Sequence, residues 1–327
     1  MNTFVFLLPA LLADVPAENP TVIVVVGAPG NEEYGQKFSA WAENWKSAAT
    51  KSEAHLVEIG QSSDADENKK NQDRDILKET LAGLEESSSR EVWLVLIGHG
   101  TFDGRKAKFN LRGPDVTANE LADWVKPLSM PLAIINCASS SSPFINALSG
   151  PNRVVVTATK SGYEQNYARF GQFLSSAISD KNADLDKDGQ TSLLEAYLAA
   201  SASVQDFYKE ESRLATEHAL IDDNGDSLGT PADWFRGFRA VRTAKSGAVP
   251  DGNRANQFVL IPSQDDHQLT PELRTERDNL ELQIAELRAK KSQLSEEDYY
   301  RRLEPMLVNL AKLYHQAESN RDFSTQD

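Results

Sequence analysis

The chain has 327 residues, 40% hydrophobic and 25% charged, with a formal net charge of −15. This is the composition of a soluble globular protein with room for one large core and an added module, and it excludes nucleic acid and anionic membrane surfaces as partners, because both would be repelled. The single cysteine, Cys137, excludes an internal disulfide.

The N-terminus opens on the apolar run Phe4–Leu12 followed by Val15-Pro16-Ala17. That small-residue spacing predicts a signal peptide over 1–17 and export to a periplasmic or extracellular space, although no Lys or Arg precedes the run. No other stretch reaches the roughly 18 apolar residues of a membrane span. Thr21–Gly27 reads as a Val/Ile strand closed by Gly27-Ala28-Pro29-Gly30, a plain strand-to-helix turn lacking a complete phosphate-loop pattern. Phe38, Trp41 and Trp45 recur at helical spacing within 33–49. A strand at Ala54–Ile59, a polar loop at Gln61–Lys70 and a helix over 71–86 follow.

Val92–Ile97 is an apolar, β-branched run that ends at Gly98-His99-Gly100. A hairpin around Phe109–Gly113 and a helix after Thr117, with Glu120 completing a capping box, come next. Leu132–Asn136 is a second buried-type strand, ending at Cys137, and it is followed by Arg153–Thr159 and a helix over 167–178. Gln257–Ile261 supplies a last strand, and Thr243–Arg254 reads as an exposed loop. Alternating strands and helices predict a mostly parallel α/β sheet with helices on both faces over 20–262. After a linker at 263–270, Leu273, Leu280, Leu287 and Leu294 fall seven apart, and Leu303, Met306, Leu307 and Leu310 form a second stripe. This predicts a helical hairpin or short coiled coil over 271–318, able to self-associate, to pack on the main domain or to lie as a lid over an active site. A disordered tail is expected at 319–327.

In an open α/β sheet, reacting groups gather at the carboxyl ends of the strands. If the two runs are neighbours, His99 and Cys137 face one crevice. A thiolate attacks a peptide carbonyl when a base or local field lowers its pKa, and an imidazole then protonates the leaving amine. The bland alternatives are a buried small hydrophobe and a core histidine. The order and strand context of His99-Gly100 and Asn136-Cys137 resemble the caspase-like cysteine peptidases, the group of legumain, gingipain, caspases and metacaspases. Ser139, Ser140, Ser141 and Phe144 are similar to the small-residue run of legumain. The caspase Gln-Ala-Cys-Arg-Gly and the metacaspase Asp-Cys are absent, so the likeness points to the superfamily.

The resemblance implies a caspase-like fold and a cysteine endopeptidase acting on protein or peptide substrates. It implies Cys137 as nucleophile, His99 as acid–base, and the amides of Gly100 and Cys137 as the oxyanion site. It also implies that acidic pocket residues select Arg or Lys. Asp103 and Glu164 are the acidic candidates, while Arg105 and Arg169 would favour Asp. The rival is a catalytically inactive, caspase-like, calcium-binding interaction module.

Residues 184–195 match the twelve-residue calcium loop of an EF-hand, with Asp184, Asp186 and Asp188 at alternate positions, Gly189 at the sharp turn and Glu195 at the close. The Gln190 carbonyl and Ser192 complete the expected Ca²⁺ shell. Asp222-Asp223-Asn224-Gly225-Asp226 has the same flavour without a closing Glu, and is read as either a second ion site or an Asx-rich turn. His218 beside these carboxylates does not make a zinc site.

Overall fold

The computed structural model describes residues 19–61, 73–84, 90–245 and 248–324, with side chains to 317. The expected signal peptide and most of the polar loop after Gln61 lie outside these residues. Strands β1 (Thr21–Val26), β3 (Val92–Ile97) and β7 (Leu132–Asn136) are buried at every position. This is why they read as continuous apolar runs and not as alternating ones. With β2 (His55–Ile59), β8 (Arg153–Thr157), β9 (Leu220–Asp222) and β10 (Thr230–Pro231) they form the main sheet in the order β10-β9-β8-β7-β3-β1-β2. Pairing is parallel from β2 to β8 and antiparallel through β9 and β10. The expected mostly parallel α/β sheet is what the chain adopts.

Alternate residues of each central strand enter opposite cores. Val22, Val24, Trp93, Val95, Ala133 and Ile135 meet α1 (Glu32–Lys51), α5 (Phe170–Ala177) and α6 (Leu193–Glu210). Ile23, Val25, Leu94, Leu96 and Ile134 meet α2 (Asp73–Gly83), α3 (Ala118–Val125) and α4 (Pro143–Leu148). Asn31 caps α1 by accepting from Tyr34 N, and Thr117 with Glu120 forms the expected capping box on α3. Between β3 and α3 a small antiparallel sheet joins β4 (Gly100–Phe102), β5 (Ala107–Phe109) and β6 (Val116–Thr117). Its second turn falls where a hairpin is expected. A further hairpin pairs β11 (Phe235–Arg236) with β12 (Arg239–Ala240).

Residues 257–261 do not form the expected last strand. Only Val259 pairs, through an isolated bridge to Ser192, while Phe258 and Leu260 are buried in the core. The apolar pattern there reflects packing: Phe258 stands edge-on to Trp93 at 5.5 Å. The loop before it is likewise not wholly exposed, since Asp251 is buried.

The C-terminal pair is α7 (Pro271–Ala289) and α8 (Glu296–Ser324), the second continuing through 319–324, where a tail is expected. Leu280, Ile284 and Leu287 are buried, as are Tyr299 and Leu303. Arg277, 9% exposed, pairs with Asp266 and Asp278 and ties α7 to the linker, and Gln257 donates to the Asp278 carbonyl. Arg90, just before β3, donates to the Val259 carbonyl. The hairpin therefore stands at the amino end of β3, opposite the end that carries His99, and is not a lid over that end. No described helix is long and apolar enough to cross a membrane.

Candidate active site and calcium loop

β3 and β7 are adjacent and in register from Val92–Leu132 to Leu96–Asn136. Trp93, Val95 and Ile97 on one strand, and Ala133, Ile135 and Cys137 on the other, enter the same core. Two-residue alternation then carries His99 to that face as well. Its ring confirms this, lying 4.8 Å from Tyr34, 5.2 Å from Phe38 and 6.3 Å from Tyr167 between centroids. His99 and Cys137 thus emerge on one face at the carboxyl ends of neighbouring strands.

His99 Nε2 lies 3.2 Å from the Pro29 carbonyl oxygen. A carbonyl can only accept, so Nε2 carries a hydrogen and Nδ1 is the nitrogen turned away from Pro29. Pro29 belongs to the turn read from sequence as a plain connection, and nothing in residue type marks a carbonyl as a tautomer-setting group. The helical spacing of Phe38 and Trp41 reads as core; the structure adds that the same stripe, with Tyr34, walls the histidine.

Cys137 is 1% exposed. A β-carbon on Gly171 of α5 would stand 2.6 Å from Cys137 Cβ, 3.0 Å from its Sγ and 2.9 Å from Trp41. Only glycine lets α5 approach this closely. Burial with no cation among its neighbours pushes the thiol up to about 12, so the sulfur is protonated at neutral pH.

Gly100 is required for the same kind of reason, because a β-carbon there would fall 2.2 Å from the Ser139 carbonyl. Its amide faces the Ser139 hydroxyl at 3.4 Å, and that hydroxyl donates to the Gly100 carbonyl at 3.2 Å. The Cys137 amide, expected at the oxyanion site, instead donates to the Leu96 carbonyl at 2.9 Å. The parallel ladder runs one residue past β7 and takes it. The Ala138 amide is held by Asn136 Oδ1 at 3.0 Å.

The two acidic specificity candidates lie in different settings. Asp103 closes the β4–β5 turn by accepting from the amides of Arg105 and Lys106, and its carboxyl is held low by Lys106 and then Arg105. Glu164 accepts from His218 Nδ1 at 2.6 Å and from the amides of Lys160 and His218. Neither lines the cavity of about 430 Å³ beyond β8, which is walled by Lys160, Phe170, Glu217, His218, Asp233 and Trp234. Glu217, 2% exposed, caps α5 by accepting from the amides of Arg169 and Phe170 at 2.7 and 2.9 Å. Burial raises its pKa.

In the 184–195 loop, Asp184, Asp186 and Asp188 bring carboxylate oxygens within 4.8 Å of one another. Asp184 accepts from the amides of Lys187 and Gly189, and Asp188 from that of Gln190. Lys187 and Gly189 have φ of 64° and 89°, so glycine serves one left-handed position and an ordinary residue the other. Asp186 is pushed up to about 6 by burial, then by Asp188 and Glu195. Crowded oxygens that resist ionising together suit a hard divalent cation. Glu195, 1% exposed, is the floor of the loop: Oε1 accepts from the amides of Leu185 and Asp186, and Oε2 from Ser192 in a capping box. Gln190 bridges outward, its side chain bonding Asp188 and the Ser263 amide.

No family profile matches the chain, and no curated protein matches it in sequence. Among solved structures, the Drosophila initiator caspase Dronc aligns at 14% identity and a TM-score of 0.44, covering 64% of this chain and 81% of that one. Caspase-1 from Spodoptera frugiperda aligns at 10% identity and a TM-score of 0.40, covering 65% and 90% respectively.

Proposed function

We propose that the chain is a caspase-like cysteine endopeptidase with Cys137 as nucleophile and His99 as general acid–base. What carries the reading is the emergence of both side chains on one face of adjacent strand ends, with the imidazole fixed by Pro29. In the reaction the His99 imidazole takes the Cys137 thiol proton, the thiolate adds to the scissile carbonyl, the imidazolium gives that proton to the leaving amine as the C–N bond breaks, and a water deprotonated by the same imidazole then cleaves the thioester and restores the thiol. The Gly100 amide is the available oxyanion donor once Ser139 turns away. Ca²⁺ bound by Asp184, Asp186 and Asp188 would hold the entry to α6 by neutralising three carboxylates. A preference for Arg or Lys before the cut is supported by Asp233 in the cavity beside α5, and less by Glu217, Asp103 and Glu164, whose oxygens are already engaged.

One observation favours the inactive interaction module. A thiol that is 1% exposed and displaced toward a pKa of about 12 does not meet a peptide carbonyl unless α5 and the segment before it shift. Labelling with iodoacetamide or a peptidyl chloromethyl ketone, with and without Ca²⁺, separates the two. The enzyme labels at Cys137 and turns over fluorogenic Arg peptides faster than Asp peptides, both activities vanishing in Cys137→Ala. A folded wild type that neither labels nor cleaves any peptide of the panel is the interaction module.

A further inference from the structure

Two loops in this chain have the same backbone design, and only one carries a recognisable calcium signature. In the first, the amide three residues after Asp184 donates to its Oδ1, and the amides two residues after Asp186 and Asp188 donate to theirs. In the second, Gly225 donates to Asp222 Oδ1 at 3.1 Å, Asp226 to Asn224 Oδ1 at 2.8 Å and Leu228 to Asp226 Oδ1 at 2.8 Å. The spacing is three, two, two in both. Left-handed residues fall at the fourth and sixth positions in both, Lys187 and Gly189 in one and Gly225 and Ser227 in the other, the latter with φ of 78° and 65°.

That likeness of shape does not by itself require a ligand, but the oxygens left over do. Asp222 is 1% exposed, and its Oδ2 is buried with no hydrogen-bond partner. Asp226 Oδ2 is buried and unpartnered too. A buried carboxylate oxygen without a donor is costly, and two within one turn are costlier. Asp223, between them in sequence, is not part of this deficit: both its oxygens accept amides, from Gly252 and Ala255.

We propose that Asp222, Asn224 and Asp226 form a second site for a hard divalent cation, Ca²⁺ by its oxygen donors. The Leu228 carbonyl, at the position Gln190 holds in the first loop, and water would complete the shell. Two carboxylates and one amide oxygen give less charge than the three carboxylates of the first loop, so this site is the weaker of the two. Mg²⁺, which demands a regular octahedron, fits it poorly. The loop joins β9 to β10 and is tied to the end of α4, Ser227 N donating to Ser149 Oγ at 3.0 Å and Asn146 Nδ2 to the Ser227 carbonyl at 2.9 Å. An ion here would brace the hairpin whose strands edge the 430 Å³ cavity. The proposal is independent of the peptidase reading and of the first loop.

The test is calorimetric titration of the chelator-stripped full chain with CaCl₂, alongside Asp186→Asn for the first loop and Asp226→Asn for the second. Two ions in the wild type, one in each variant and none in the double variant are expected. A wild-type stoichiometry unchanged by Asp226→Asn overturns the proposal, as does a single ion lost in Asp186→Asn. A single ion that survives Asp186→Asn and disappears in Asp226→Asn upholds this site and removes the first. No binding removes both. Circular dichroism in chelator establishes that Asp226→Asn is folded; should it not be, Asp222→Asn, which keeps the acceptor for Gly225, is read the same way.

Discussion

The strand-end crevice and the 184–195 loop store opposite kinds of electrostatic imbalance. In the crevice an ionisable group is wrapped in apolar surface with no charge beside it, and the result is a neutral thiol. In the loop several ionisable groups of one sign are pressed together among backbone amides and the neutral side chains of Gln190 and Ser192, and the result is a carboxyl pushed up to about 6. The first is corrected by uncovering and the second by adding a counter-charge. The two imbalances sit in separate parts of the chain, so relieving one leaves the other in place.

The sharpest break of this contrast is at the histidine. His99→Ala is expected to lower kcat by about 10²–10⁴-fold while leaving calcium binding unchanged; equal turnover in fluorogenic assays would remove His99 from the chemistry. Calcium removal acts on the other region. At 100-fold excess over its dissociation constant the ion adds about 2.7 kcal/mol of stability, so chelation should lower Tm by about 5 °C, read by scanning calorimetry. Glu195→Gln should blunt that response, and an unchanged Tm on chelation would leave the loop an acidic turn.

Gly171→Ala tests the cover over the thiol. Overpacking against Cys137 and Trp41 is expected to cost about 1–3 kcal/mol and to speed thiol labelling as α5 is displaced; a denaturant midpoint equal to wild type would mean that α5 already stands off. The smallest effect is with pH. Asp186 holds its proton more tightly in the fold than at its ordinary 3.8, so its contribution is full below that value and is lost as pH rises through about 6. Calcium-free protein should therefore lose Tm slightly between pH 4.5 and 6.5, and saturating Ca²⁺ should abolish that slope. A Tm in chelator that rises over the same interval would reverse the sign assigned to Asp186.

Much of the scaffold was legible because its signals are local. Wholly apolar β-branched runs marked β1, β3 and β7, Thr117-x-x-Glu120 marked the start of α3, and the heptad leucines marked α7. The placement of His99 and Cys137 on one face was legible because neighbouring parallel strands bring their carboxyl ends to one edge of the sheet. What was hidden depends on main-chain atoms and on register. The Pro29 carbonyl that orients His99 and the Leu96 carbonyl that takes the Cys137 amide carry no side-chain signature. Likewise, Gln257–Ile261 has the composition of a strand, and only tertiary packing shows that Phe258 and Leu260 are plugs in the core. Glu164 looked available as a loop acid until His218, distant in sequence, was found against it.

The lone bridge between Ser192 and Val259 has a practical consequence for dividing the chain. The outgoing end of the 184–195 loop leans on a segment of its own chain, with Leu193 donating to the Phe258 carbonyl at 2.8 Å and Leu194 to that of Ala255 at 3.2 Å. Residues 255–261 therefore belong to the sheet-bearing half, although in sequence they adjoin the linker and hairpin. An expression boundary placed before Ala255 would strip the start of α6 of its neighbours. One placed within 263–270 would separate the helices while leaving the loop its support, at the cost of the Arg277–Asp266 tie.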